Sequence, residues 1–344
     1  MSIDVVAYRV VRLDPAGQRA LDASFEIREA ARAHDLPDFP RTCRYRHDAS
    51  VRIPWPGYDE AYWLAFRGDR PVGVGNVSLP QLDNLENAWA EIFVHPDHRR
   101  HGAGRALYDQ IVEYARAGGR TRLMADTIEA LPGGQARTFA GSAFAKAMGM
   151  DNVLGEVRRS LDLTTADTSG YDRLLADAWA HADGYSLVQW RDHAPDEYVA
   201  DVAYLDGRLH SDAPMGELDW APENIDAERM RRMEETRLAH GSRLYSSAVR
   251  HDASGRVVAV TALMLEKTVS DHAWQLITLV DPPHRGHRLG TIVKIANLQY
   301  AMAGEPALRT VDTWNAAVND HMISINEAIG FRAMDSLVNW QRTI

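Results

Sequence analysis

The residues best placed to do chemistry fall first between Val94 and Leu107, in the order Val-His-Pro-Asp-His-Arg-Arg-His-Gly-Ala-Gly-Arg-Ala-Leu. Small residues at Gly102, Ala103 and Gly104 let the backbone come close to an anion. A helix starting there would turn its unpaired N–H groups and the positive end of its dipole toward that anion. Arg99, Arg100 and Arg105 add charge around it, with His101 between them. The outline is that of a phosphate cradle, and an apolar strand before it and an amphipathic helix after it make the pattern more specific than a glycine pair alone. A second basic turn, Val280-Asp-Pro-Pro-His-Arg-Gly-His-Arg-Leu-Gly290, carries Arg285, Gly286, Arg288 and Gly290.

Val94 and Val280 are 186 residues apart, as are Gly104 and Gly290, while Gly149 and Gly330 are 181 apart. Such offsets predict two similar domains. The elements that must position the first turn read in order as a strand over Val5–Leu13, a helix over Ala16–His34 and a proline-rich loop over Leu36–Tyr58. Strands follow over Tyr62–Arg67, Pro71–Leu79 and Asn87–Val94, forming an antiparallel meander. After the turn come a helix over Arg105–Ala117, a strand over Thr121–Thr127, a helix over Ala136–Met148 and a strand over Val153–Leu163. The polar run Leu163–Gly170 reads as a linker, and the same plan then repeats to the end of the chain. The expected division is residues 1–163, a linker and connecting helix over 164–184, and residues 185–344. The expected fold class is α/β (α+β), each domain a mixed, mostly antiparallel sheet flanked by helices.

Composition narrows the function. The 344 residues carry a formal charge of -10, which argues against a general nucleic-acid binder, because such proteins need a broad cationic surface. The single cysteine, Cys43, excludes an internal disulfide and fits a reducing cytoplasm. The longest apolar runs are too short to span a bilayer and the N-terminus lacks the regions of a signal peptide, so a cytoplasmic location without membrane partners is expected. His95, His98 and His101 repeat at a metal-like spacing. They lie inside the phosphate turn with no Cys or carboxylate cluster beside them, so no metal is expected.

The order Arg99, Gly102, Gly104 resembles the Arg/Gln-x-x-Gly-x-Gly/Ala signature of the GNAT superfamily of acyl-CoA-dependent N-acetyltransferases. The two halves together resemble tandem-domain actinobacterial members, with distant similarity to mycothiol synthase. The resemblance implies acetyl-CoA as co-substrate. Its pyrophosphate would be held by the loop from Arg99 to Arg105, and its pantetheine arm by backbone at Phe93 and Val94 on a strand splayed from its neighbour. The second half places Arg288 where the first glycine belongs. It adds Thr313-Trp314-Asn315 and Asn319 before Gly330-Phe331, resembling the second family motif, in which an asparagine can bond the pantetheine arm. Cofactor contacts at Val280, Arg285, Gly286, Arg288, Gly290, Asn315 and Asn319 follow from that resemblance.

Amide formation needs a group to take a proton from the ammonium. Glu91 is the candidate, because strand alternation places it with Phe93 on the face opposite Val94. The tyrosine that many relatives carry four residues before the second-motif glycine is Ala145 in one half and Asn326 in the other. The expected activity is therefore acetyl transfer to a primary amine of a small molecule or peptide by a monomer or homodimer. Two alternatives stay open: a non-catalytic acyl-CoA-binding or sensing protein, and catalysis in the C-terminal domain with a structural coenzyme A in the N-terminal one.

Overall fold

The computed structural model describes residues 8–344, so the first residues of the expected strand Val5–Leu13 lie outside the described residues. The chain forms two compact units. One comprises the residues up to Ala130 with Ala136–Leu154 and Leu337–Ile344, and the other Leu131–Gln135 with Gly155–Ser336. These divisions differ from the boundaries read in the sequence: residues 155–184 fall in the second unit and the last strand ends in the first.

In the first unit, β1 (Arg9–Arg12) leads to α1 (Gln18–Asp35), α2 (Arg44–Arg52), β2 (Tyr58–Arg67), β3 (Arg70–Pro80) and β4 (Asn87–Val94). Then come α3 (Ala103–Ala117), β5 (Arg122–Ala130) and α4 (Ala140–Ala147). The strands β1 to β4 pair antiparallel in sequence order, and β5 joins β4 in parallel. Alternation sends every second residue to a different core. Ala61, Val77, Ala88 and Ala90 meet Leu107, Ile111 and Ala115 of α3. On the other face, Leu64 and Val74 meet Leu21 and Ile27 of α1. Each large aliphatic side chain buried in this way stabilises the fold by roughly 1.5–3 kcal/mol.

Two elements depart from expectation for visible reasons. α2 lies inside the proline-rich stretch read as a loop, where the Cys43 sulfur accepts the Arg46 N–H at the helix start and Arg44 bonds Asp48 one turn on. α4 starts four residues later than read, because Arg137 pairs with Asp38 and Thr138 donates to Asp35, which holds that segment out of the helix.

β6 (Asp151–Asp162) crosses between the units. The second unit continues with α5 (Tyr171–Trp179), β7 (Tyr185–Arg191), α6 (Val199–Gly207), α7 (Leu209–Asp212), α8 (Ala227–Ala239), β8 (Ser242–His251), β9 (Val257–Glu266) and β10 (Val269–Val280). It ends with α9 (Leu289–Gly304), β11 (Thr310–Ala316), α10 (Asp320–Ile329) and β12 (Arg332–Thr343). Its strand order is β6-β11-β10-β9-β8-β7, with β10 and β11 parallel and the other pairs antiparallel. Both units are therefore mixed α/β with mostly antiparallel strands, as the sequence predicts. The final segment of β12 serves the first unit, where Trp340 donates from its indole N–H to Thr127 at 2.8 Å.

Candidate active site

The two basic turns follow the same backbone course. After β4 the chain makes a single 3₁₀ turn over Pro96–His98, and after β10 another over Pro282–His284. Arg99 Nε donates to the Val94 carbonyl at 3.1 Å, and Arg285 Nε to the Val280 carbonyl at 3.2 Å. Each turn then passes through two left-handed residues, Arg100 (φ 65°) and Gly102 (φ 101°) in one, Gly286 (φ 88°) and Arg288 (φ 55°) in the other. The arginine at the first-glycine position of the second turn thus keeps the left-handed conformation, and that turn places its glycine two residues earlier. At Gly104 an added Cβ would lie 3.3 Å from Phe144, and at Gly290 3.4 Å from Ile325. Close approach of α4 to the helix start therefore favours glycine at Gly104, whereas at Gly290 a side-chain carbon would make an ordinary contact with α10.

The charged residues of the turns divide by role. Arg99 forks onto Asp35 at the end of α1, at 2.8 and 2.7 Å, and Thr138 donates to the same carboxylate at 2.9 Å. Burial alone would raise the Asp35 carboxyl, but these donors and His34 hold it below the usual range. Arg99 is thus a strut between the turn and α1. Arg100, His101 and Arg105 are exposed, and Ala103 is buried at the first position of α3. In the second turn Arg285 faces Asp212 at 3.3 Å and Arg288 pairs with Asp177. Asn319 caps α10 by accepting the Met322 N–H at 3.2 Å, and Asn315 accepts from Asn326 at 2.6 Å.

A cleft opens beside each turn because the parallel strands part. The register of β4 with β5 runs from Asn87–Arg122 to Trp89–Met124, and that of β10 with β11 from His272–Thr310 to Trp274–Asp312. Beyond those points Phe93 and Val94 stay in register with β3 but no longer with β5, and the Val94 carbonyl on that open edge accepts from Arg99.

On the α1 side of this opening the first unit presents a polar face. Cross-strand pairs Glu60–Ser78, Tyr62–Asn76, Ser78–Trp89 and Asn76–Glu91 put all six side chains on one surface. Arg28 of α1 reaches into it, donating to Asn76 at 2.5 Å and to Glu91 Oε2 at 3.3 and 3.4 Å, with its guanidinium 4.5 Å above the Phe93 ring. Glu60 accepts from Tyr62 at 3.3 Å and from Ser78 at 3.4 Å. Burial pushes the Glu60 carboxyl above its ordinary value against those donors, and nearby Glu91 pushes the same way. Burial and Glu60 also raise the Tyr62 phenol. Sequence reading missed Glu60, Tyr62, Asn76, Ser78 and Arg28. Alternation would have joined Glu60 to Tyr62, had β2 been read to begin at Tyr58 and not at Tyr62.

The matching surface of the second unit carries no ionisable side chain at the corresponding positions and is apolar except for Ser246. Leu244 pairs with Met264 and Ser246 with Ala262, at the register positions of Glu60–Ser78 and Tyr62–Asn76. Leu244, Ala262 and Met264 form a buried cluster with Trp274 and Leu276, and Ile277 stands 186 residues after Glu91. Among the described residues no group of His, Cys, Asp or Glu is arranged to hold a metal ion, and no helix is long and apolar enough to cross a membrane.

Residues 26–135 match the family model described as the Acetyltransferase (GNAT) family. The chain is similar over its whole length to a solved tandem GNAT protein from the clavulanic acid biosynthesis pathway. The two share 32% identity with a TM-score of 0.83, and the match covers 98% of each chain. A GCN5-related N-acetyltransferase from Sphaerobacter thermophilus shares the fold at 14% identity and a TM-score of 0.64, over 98% of this chain and 95% of that one. A putative acetyltransferase from Pyrococcus horikoshii does so at 14% identity and a TM-score of 0.56, over 100% of this chain and 91% of that one. No functionally curated protein matches the chain in sequence.

Proposed function

Because this chain belongs to the GNAT acetyltransferase family as a tandem-domain member, we propose that it transfers an acetyl group from acetyl-CoA to a primary amine, and that the transfer takes place in the first unit. The observation that carries the reading is the polar face of β2, β3 and β4, whose register positions in the second unit hold Leu244, Ala262 and Met264. Transfer requires proton removal from an ammonium, and at those positions the second unit holds Leu244, Met264, Ala262 and Ser246, none of them a base.

The residues present fit the co-substrate. Gly102, Ala103 and Gly104 offer backbone N–H groups at the start of α3, Arg100, His101 and Arg105 add exposed donors, and Phe93 and Val94 supply the open strand edge. Acetyl-CoA contributes an activated thioester, and this chain orients the acceptor, excludes water and moves the proton. Glu91 is held by Arg28 within that face and is one candidate proton acceptor. With Ala145 at the position of the usual tyrosine, no side-chain acid is assigned to the leaving thiolate. A thiol of pKa about 8.5 leaves tolerably near neutral pH without one.

The second unit, with the same turn at Val280, Arg285, Gly286, Arg288 and Gly290 and with Asn315 and Asn319 nearby, is read as an acyl-CoA-binding domain without transfer chemistry. Calorimetric titration of acetyl-CoA, followed by a panel of primary amines scored for free thiol and for the acetylated product, tests the activity. Binding together with amine-dependent thiol release is expected. Binding without turnover on any amine overturns the enzyme reading in favour of a sensor.

A further inference from the structure

Glu60 lies outside any role assigned to the turns or to Glu91, yet it has the features of a proton acceptor. The paired registers place it two strands and two residues away from Glu91, so their Cα atoms are separated by roughly 12 Å at ordinary strand spacing. Both side chains stand on the same face of the sheet, and two glutamate side chains across such a span can reach one ammonium group from opposite sides. The groups facing this space are Arg28 from α1, Tyr62 from β2, Asn76 and Ser78 from β3, and Glu91 from β4. With both carboxylates ionised the sum with Arg28 is one negative charge, which matches a single cation.

The two carboxylates are not equivalent. Glu91 has one oxygen taken by two nitrogens of a guanidinium, and its side chain is 42% exposed. Glu60 is held only by neutral hydroxyl donors among its side-chain partners, so protonating it breaks no ion pair.

Resting on the acetyltransferase reading above, we infer that the acceptor enters as a protonated primary amine between Glu60 and Glu91, and that Glu60 takes its proton while Glu91, fixed by Arg28, positions it. The ammonium N–H bond breaks and an O–H bond forms on Glu60, which later returns that proton to solvent. The freed nitrogen lone pair forms the C–N bond to the thioester carbonyl carbon. As the C–S bond breaks, the electron pair leaves with sulfur, and the second proton lost by nitrogen ends on the thiol. Burial raises the affinity of the half-buried Glu60 for a proton, which strengthens it as an acceptor beside this geometry.

The test compares wild type, Glu60→Gln, Glu60→Asp, Tyr62→Phe and Glu91→Gln. The panel contains amines that are cations at neutral pH (aliphatic amines and amino sugars) and aniline, which is neutral there. Acetyl-CoA affinity by calorimetry reports folding and the turn. Expected are turnover confined to the cationic amines and about 100-fold loss of kcat/KM in Glu60→Gln with acetyl-CoA binding unchanged. The acidic limb of the kcat/KM–pH profile should disappear in Glu60→Gln and move in Tyr62→Phe, with partial recovery in Glu60→Asp. Wild-type kcat/KM and profile in Glu60→Gln, or the large loss falling on Glu91→Gln alone, overturn the assignment of Glu60 and leave the acetyltransferase reading standing. A wild type that binds acetyl-CoA but acetylates no amine overturns both.

Discussion

Arg99 shows how a single side chain can stand in a signature without facing the ligand. Its fork onto Asp35 and its bond to the Val94 carbonyl fix the turn to both α1 and β4, so its charge is already neutralised where the signature suggests a phosphate contact. Lys294 poses a different question. It is 2% exposed on α9, its ammonium lies 5.5 Å from the Phe331 ring, and burial brings its pKa down to about 7. Between about pH 7 and the ordinary lysine range the unfolded chain holds a proton that the folded chain lacks. Stability therefore rises with pH across that window and is flat below it. Lys294→Met is expected to raise the melting temperature near neutral pH by roughly 3–8 °C and to flatten its rise toward pH 10, and thermal melts at the two ends of the window check this. A lowered melting temperature would mean that the amine has a stabilising partner. At this scale, glycine and proline punctuation made both turns legible in the sequence. The cleft face was not, because Glu60 follows directly on a proline-rich stretch, and its neighbours Ser78 and Asn76 come from a strand whose register only the fold supplies.

Among the elements, the parting of β4 from β5 and of β10 from β11 creates the clefts, and it depends on strands held firmly from the other side. In the second unit that support includes a buried network on β6, β11 and β12. Arg158, 2% exposed, donates to Asp312 at 2.9 Å and to Asp335 at 2.7 and 2.5 Å. Burial alone would raise the Asp312 carboxyl, but His272 and Arg158 hold it below the usual range. Its stabilising contribution is therefore present at neutral pH and is lost as pH falls below the ordinary aspartate range. Asp335→Ala leaves the guanidinium short of a counter-charge and is expected to cost about 3–5 kcal/mol, measured by denaturant unfolding. A loss under about 1 kcal/mol would show that Asp312 alone satisfies Arg158. Hydrophobic periodicity located most helices and strands. It missed α2, which depends on a cysteine cap and one ion pair, and it overextended α4, whose expected first turn is held out of the helix by side-chain bonds to Asp35 at the end of α1 and to Asp38 just beyond it.

For the whole molecule, the repeat read from glycine spacing corresponds to two units whose turns agree in every backbone feature described and whose cleft faces do not. The sequence could carry the first fact, because a turn is a local pattern. It could not carry the second, because a face is assembled from residues on different strands. Nor could it show that Leu337–Ile344 belongs to the first unit, since the chain's last strand looks like any other edge of the second repeat. On the reading proposed above, the first unit performs the transfer while the second holds the same turn without the chemistry. The most direct measurement is amine-dependent thiol release from acetyl-CoA in wild type, Gly102→Glu and Gly290→Glu, each bringing a negative charge to one turn. Expected are at least about a tenfold loss of kcat/KM for acetyl-CoA in Gly102→Glu and near wild-type transfer in Gly290→Glu. Full activity in Gly102→Glu with loss in Gly290→Glu would contradict it and assign the reaction to the second unit.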